Sequence, residues 1–254
     1  MSKRGGKMYQ EQRIRKIVSL LEKEKVLSTT KIAQFLKVSR DTARRDILKC
    51  LNYDNIVRTH GGIMIVDENE SLNFNQRSDV HNVKKEKMAR ICKKLLTKHS
   101  ILYLDVSTTI LLLSSMIDIP CTVYTHSIDN AYSLSHKKQC SINLIGGQFN
   151  FDNRFFSSEY SKQIIENTKF DVAVIGAASL EKDGIYYNDI DDAAVIRSVV
   201  RSARKVVLIS EMSKFKKKAH YRGSDWSNVD IFVTDEELPE STKNGLKEGM
   251  EILF

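Results

Sequence analysis

No stretch of this 254-residue chain approaches the about 18 consecutive apolar residues that a membrane-spanning helix requires. The opening residues 1–7 are basic and are followed by no apolar run of signal-peptide type, so a soluble cytoplasmic protein is expected. Cysteine is also sparse: Cys50, Cys92, Cys121 and Cys140 form no C-x-x-C pair and have no neighbouring histidine at ligand spacing. They are expected to be small reduced residues, three of them in apolar-periodic segments, with no disulfide, no bound metal and no cofactor. Acid is scarce in one place only. Residues 1–66 carry 15 Lys and Arg against 6 Asp and Glu, whereas residues 67–254 carry 25 against 26. The whole +8 excess therefore sits in the first quarter of the chain. That is the charge pattern of a polyanion-binding module joined to a neutral globular domain, because Lys and Arg gain affinity by displacing counterions from phosphates. An anionic membrane surface is the competing partner, ranked second for want of any spanning or leader segment.

At 41% hydrophobic composition the chain can bury a sizeable core in one domain or two. Ile14, Ile17, Val18 and Leu21 recur at helical spacing and predict a first helix over residues 11–25. Ser28 is placed to cap a second helix over 29–37, with Ile32, Ala33 and Leu36 on one face. After the short turn Lys37-Val38-Ser39, Ser39 is placed to cap a third helix running to about residue 51, whose buried face is Ala43, Ile47 and Leu51. Two helices around a tight turn spell helix-turn-helix. Arg40, Asp41, Thr42, Arg44, Arg45 and Lys49 lie on the parts of the third helix that the core does not need, which fits a helix lying in a major groove. A solvated charged face is the blander alternative. Two β-prone runs, 56–59 and 63–66, flank His60-Gly61-Gly62 and read as a hairpin wing.

The segments Val38-Ser39-Arg40-Asp41-Thr42-Ala43-Arg44-Arg45-Asp46 and Arg58-Thr59-His60-Gly61-Gly62 together resemble the V-S-x-x-T-x-R-R-D recognition helix and R-x-H-G-G wing of DeoR-type bacterial repressors. The family's usual glycine between helix and wing is replaced by Asp54-Asn55, residue types that tolerate the left-handed backbone of a helix exit. The DNA-contacting set implied is Ser39, Arg40, Thr42, Arg44, Arg45, Arg58, His60 and Gly61. The expected domains are a winged helix-turn-helix over 1–66, a polar linker over 67–81 and an α/β domain over 82–254. Phe74-Asn75-Gln76-Arg77 resembles the F-x-x-R that opens the family's second half, and 83–96 resumes a helical pattern through Met88, Ile91, Cys92 and Leu95. The run Lys84-Lys85-Glu86-Lys87 is read as a solvated helix face rather than a second nucleic-acid patch.

From residue 101 onward, short apolar runs at 101–104, 122–124, 142–145, 172–175, 206–209 and 231–233 alternate with helical patterns, which predicts an open, mainly parallel sheet between helices. Ligands of such sheets bind beyond the carboxyl ends of the strands. The loops found there are Asp105-Val106-Ser107-Thr108-Thr109, Thr125-His126-Ser127, Gly146-Gly147-Gln148, Gly176-Ala177-Ala178 and Ser210-Glu211-Met212-Ser213-Lys214-Phe215. Hydroxyls and free backbone N–H groups at a helix start make an anion site, although a Ser-Thr-Thr run is more often a plain cap and a Gly-Gly a plain turn. In order, these loops resemble the D-x-G-T-T, T-N-S, L-G-G, G-A and S-S-K-F motifs of the DeoR-type sensor domain, similar in fold to ribose-phosphate isomerases and coenzyme A transferases. The resemblance implies that Asp105, Ser107, Thr108, Thr109, Ser127, Gly146, Gly147 and Lys214 surround a phosphorylated sugar. The chain departs from the family at Ser107 (usually glycine), His126 (usually asparagine), Ala178 (commonly aspartate) and Ile196 (usually lysine).

The expected protein is thus a repressor of a carbohydrate operon, acting as a homodimer or homotetramer on double-stranded operator DNA and modulated by a small phosphorylated metabolite. The rival is an isomerase-like or transferase-like enzyme with an accessory nucleic-acid-binding head. Its catalytic base would have to come from Asp105, Asp191, Asp192 or Glu211. No catalytic residue is assigned, because a sensor needs only binding and a shared fold is weak evidence of activity.

Overall fold

A computed structural model describes residues 8–51, 53, 56–59, 61–65, 74, 83–243 and 246–254; Val57 and Ser241 are described by backbone alone. The chain divides into two compact units, Met1–Asn82 and Val83–Phe254. His60, the Asp54-Asn55 pair and Asn75-Gln76-Arg77 lie outside the described residues.

In the first unit, α1 (Gln10–Glu24) buries Ile17 and Leu21 and ends at Lys25, whose positive φ turns the chain into β1 (Val26–Ser28). Helix α2 (Thr29–Leu36) starts where the Ser28 hydroxyl accepts from the Lys31 N–H, and α3 (Arg40–Cys50) where Ser39 accepts from the Thr42 N–H. Both serines cap as their sequence positions require, each contributing about 1 kcal/mol. Strands β2 (Ile56–Arg58) and β3 (Gly62–Ile65) form the antiparallel wing, and β1 joins them on the far side of β3. Strand β1 has no counterpart among the runs expected from the sequence. Three residues between two helices are too few for alternation to register, although Leu27 is buried and Val26 faces out. Gly62 is required by this pairing, since a Cβ there would stand 1.9 Å from the Leu27 carbonyl oxygen. The core of the unit joins Ile17, Leu21, Ile32, Leu36, Ala43, Ile47 and Ile63.

The second unit opens with α4 (Val83–Lys93) and is built on seven parallel strands. In chain order its elements are β4 (Ile101–Leu104), α5 (Thr108–Met116), β5 (Cys121–Thr125), α6 (Ile128–Leu134), β6 (Cys140–Leu144), β7 (Gln148–Asn150), β8 (Phe155–Ser157), α7 (Glu159–Glu166), β9 (Val172–Ile175), β10 (Ser179–Glu181), β11 (Gly184–Tyr187), α8 (Ile190–Ser202), β12 (Val206–Ile209), β13 (Tyr221–Ser224), β14 (Ile231–Val233), α9 (Glu240–Lys243) and β15 (Glu251–Leu253). The main sheet runs β15-β14-β12-β9-β4-β5-β6. Every neighbouring pair in it is parallel.

Alternation along these strands divides the core. Leu102, Leu104, Val172, Val174, Val207 and Ile209 pack with α4 and α5 on one face, while Tyr103, Ala173, Ile175, Val206 and Leu208 pack with α8 on the other. Burial on both faces is why the strands read as continuous apolar runs. The chain lays down β4, steps outward to β5 and β6, and then returns to β4's other side with β9. The carboxyl ends of β4 and β9 are therefore the topological switch point, where open α/β sheets bind ligands.

Candidate DNA interface and ligand site

In the first unit, the start of α3 and the wing enclose a groove of about 380 Å³ lined by Thr29, Thr30, Arg40, Arg44, Arg58, Thr59, Gly61 and Gly62. Four of the expected DNA residues, Arg40, Arg44, Arg58 and Gly61, thus meet on one concave surface. The Thr29 N–H and hydroxyl both donate to the Gly61 carbonyl, at 2.7 and 2.9 Å, and tie the wing tip to α2. Arg44 is 68% exposed and only loosely paired with Asp41 at 3.8 Å, and Arg45 is exposed on the same helix. Thr42 and Ser39 share a 2.9 Å hydroxyl contact at the helix start. The last residue of the R-R-D motif faces inward. Asp46 is fully buried and accepts from Arg13 Nε and Nη2 at 2.6 and 3.0 Å and from Gln10 Nε2 at 3.2 Å, pinning α3 to α1. Burial makes that pair worth most when intact, since removing one partner strands a charge.

In the second unit, the switch point is held by Asp105. Its Oδ1 accepts from the Val106 N–H at 2.6 Å, and its Oδ2 from the Gly176 N–H at 2.9 Å and the Tyr187 hydroxyl at 3.5 Å, so the loops after β4 and β9 are bonded together. Ser107 caps α5 by accepting from the Thr109 N–H and turns its Cβ toward Gly176, where any Cβ would stand 3.0 Å away. The departure from glycine at position 107 is accommodated by the glycine opposite. Ser127 caps α6 by accepting from the Asn130 N–H, while the Asn130 amide donates to the Asp105 carbonyl at 2.9 Å.

One sequence expectation needs correcting. Lys85 does not lie on a solvated face: it is 8% exposed, and its Nζ donates to Thr108 Oγ1 at 3.2 Å. The signal was available, because Lys85 precedes Met88, Ala89 and Cys92 at helical spacing and all three are buried. Lys84 fits the solvated reading better, reaching Asp235 and Glu236. Lys85 therefore sets an ammonium beside the N-terminus of α5, where backbone donors and the helix dipole already favour an anion.

The other expected ligand residues are distributed unevenly. Thr108, Thr109 and Ser127 are buried, Ser107 is half-buried, and Gly146 and Gly147 are exposed. The bare backbone of Gly147 packs closely on β8: its φ is +149° and a Cβ would stand 2.2 Å from the Ser157 carbonyl oxygen. Gly146 has open space where its side chain would be, and its carbonyl accepts from Ser161 Oγ at 2.8 Å. Lys214 sits half-buried on the 3₁₀ turn Met212–Lys216 that follows β12 and packs on β10.

The departure at His126 has a partner that sequence spacing does not reveal. His126 is fully buried, with Nδ1 2.6 Å from the Tyr103 hydroxyl and Nε2 3.2 Å from Asp192 Oδ1 and 3.9 Å from Asp105 Oδ1. Burial lowers the His126 pKa to about 4 against the pull of Asp105. Burial first, and then the charge of Asp192, raises the Asp105 carboxyl to about 7. Asp192 stands in the first turn of α8, capped by Asp189, whose side chain accepts from the Asp191 and Asp192 N–H groups.

Residues 13–69 match the DeoR-like helix-turn-helix domain, and residues 80–236 match the DeoR C terminal sensor domain. The HTH-type transcriptional repressor GlcR of Bacillus subtilis (strain 168) is 30% identical over 253 residues, covering 97% of this chain and 96% of its own. The glycerol-3-phosphate regulon repressor of Escherichia coli (strain K12) is 25% identical over 92% of this chain and 94% of its own. Among solved structures, the full-length sorbitol operon regulator SorC from Klebsiella pneumoniae aligns with a TM-score of 0.39 and 14% identity, over 92% of this chain and 99% of that one. No helix among the described residues is long and apolar enough to cross a membrane. With a winged helix-turn-helix ahead of a parallel-sheet sensor unit, and both halves matched along with a full-length relative, the chain belongs to the DeoR family of transcriptional regulators.

Proposed function

We propose that this regulator represses a carbohydrate operon in the cytoplasm, and that a small phosphorylated sugar bound at the switch point of its sensor unit weakens its hold on operator DNA. The observation that carries the ligand half is the position of Lys85. A nearly buried ammonium beside the first turn of α5, with the Thr108 hydroxyl within 3.2 Å, adds a fixed positive charge to a helix start whose backbone N–H groups and dipole favour an anion such as a phosphate. Ser107, Thr109, Ser127, Gly146 and Lys214 complete the proposed set around the sugar. That one relative is named for a glycerol-3-phosphate regulon fits a phosphorylated effector. Binding rather than catalysis suits the nearby acids, because Asp105 is engaged by two backbone N–H groups and Asp192 by His126.

The DNA half rests on Arg40, Arg44 and Arg58 lining one groove with Gly61, and on Arg45 exposed beside it. Thermal denaturation with a panel of phosphorylated sugars tests the ligand site. At least one compound should raise the Tm of the native protein and leave a Lys85→Ala variant unmoved. A panel without a hit, or hits that stabilise both proteins equally, would remove the site from the proposal.

A further inference from the structure

Beside the proposed phosphate position, three ligand-bearing side chains from distant segments meet in the sensor unit: Asp105 after β4, His126 after β5 and Asp192 in α8. One donor atom from each lies within 4.8 Å of the others. We propose that this trio binds a divalent cation of the Zn²⁺ or Mn²⁺ class, with His126 Nε2 and one oxygen of each carboxylate as protein ligands. Metal–ligand bonds of about 2.0–2.2 Å place ligand atoms roughly 3–4 Å apart. The His126–Asp192 and His126–Asp105 separations of 3.2 and 3.9 Å fall in that range. One imidazole with two carboxylates is a borderline donor set, which suits such ions better than soft thiophilic ones.

The orientation of the ring agrees. His126 turns Nδ1 to the Tyr103 hydroxyl at 2.6 Å, the outer contact that fixes a ligating imidazole and leaves Nε2 for the ion. Two carboxylates around one fully buried imidazole also concentrate negative charge that a divalent ion would neutralise. Asp192, with a side chain 13% exposed while the other two are closed, is the side from which an ion and its remaining water ligands would enter. The set carries no short-range motif, because its members stand at 105, 126 and 192.

The proposal does not depend on the sugar-phosphate reading, since the metal alone is the probe. The full chain is stripped with a chelator, equilibrated with Zn²⁺ or Mn²⁺ and dialysed, and its metal content and Tm are measured. The native chain should retain one ion and gain Tm. His126→Asn, which restores the family's usual residue, and Asp192→Asn should each bind more than about tenfold more weakly, with unchanged far-ultraviolet circular dichroism. Failure of the native chain to bind either ion would overturn the proposal, as would variants that bind as well as it does, which would leave a hydrogen-bonded network without an ion. Should one variant misfold, the other decides.

Discussion

Arg44 and Arg45 follow each other on α3 and are both exposed, so neither contributes to the core formed by Ala43, Ile47 and Cys50. Replacing both with alanine should therefore leave thermal stability within about 0.5 kcal/mol of native while removing operator binding in a gel shift; native affinity in the double variant would take α3 out of the interface. Asp46, next in the motif, shows the limit of reading function from a string of residues. R-R-D looks like one charged signature, but two members face solvent and the third is buried against Arg13. Lys85 is the converse case, a lysine in a charged run whose helical phase with Met88 and Cys92 puts it inside. His126 stands out in the sequence only as a departure from a motif. Its meeting with Asp192 depends on how β5 and α8 are brought together, which no local pattern encodes.

Elements were legible where a period of 3.6 or a fully buried run extends over several residues. The four strands Ile101–Leu104, Val172–Ile175, Val206–Ile209 and Ile231–Val233 coincide with their apolar runs, and Ser28, Ser39, Ser107 and Ser127 all cap helices. What escaped is short or weakly apolar: β1 between two helices, β15 at the end of the chain, the β7–β8 hairpin, and the β10-β11-β13 sheet, whose antiparallel pairing carries no long alternating signal. The wing shows how an element can rest on one residue. Gly62 lies against the Leu27 carbonyl, so Gly62→Ala must either push β1 from β3 or bend the wing away. The expected result is a fall in stability of about 1–3 kcal/mol and a large loss of operator affinity, although no residue of the DNA-facing set has changed. Native denaturation and DNA binding in that variant would show that the β1–β3 contact is not what positions the wing.

For the whole molecule, one winged helix-turn-helix buries too little surface for tight, specific binding, and such heads act in pairs on half-sites separated by whole turns of the double helix. We therefore expect at least a homodimer. Light scattering that finds a monomer at micromolar concentration while operator affinity is undiminished would contradict this. Pairing also supplies what regulation needs, because a ligand shifts DNA affinity only by binding one arrangement of the heads better than another. The central claim is that phosphate binding beside Lys85 is read out at the DNA. Its most direct test is the fluorescence anisotropy of a labelled operator fragment bound by the protein, titrated with phosphorylated sugars and with their unphosphorylated counterparts. The account predicts that a phosphorylated compound releases the native protein from DNA, that the same sugar without its phosphate does not, and that a Lys85→Ala variant still binds the fragment but no longer responds. Release by the unphosphorylated sugar, or an equal response from the variant, would contradict it.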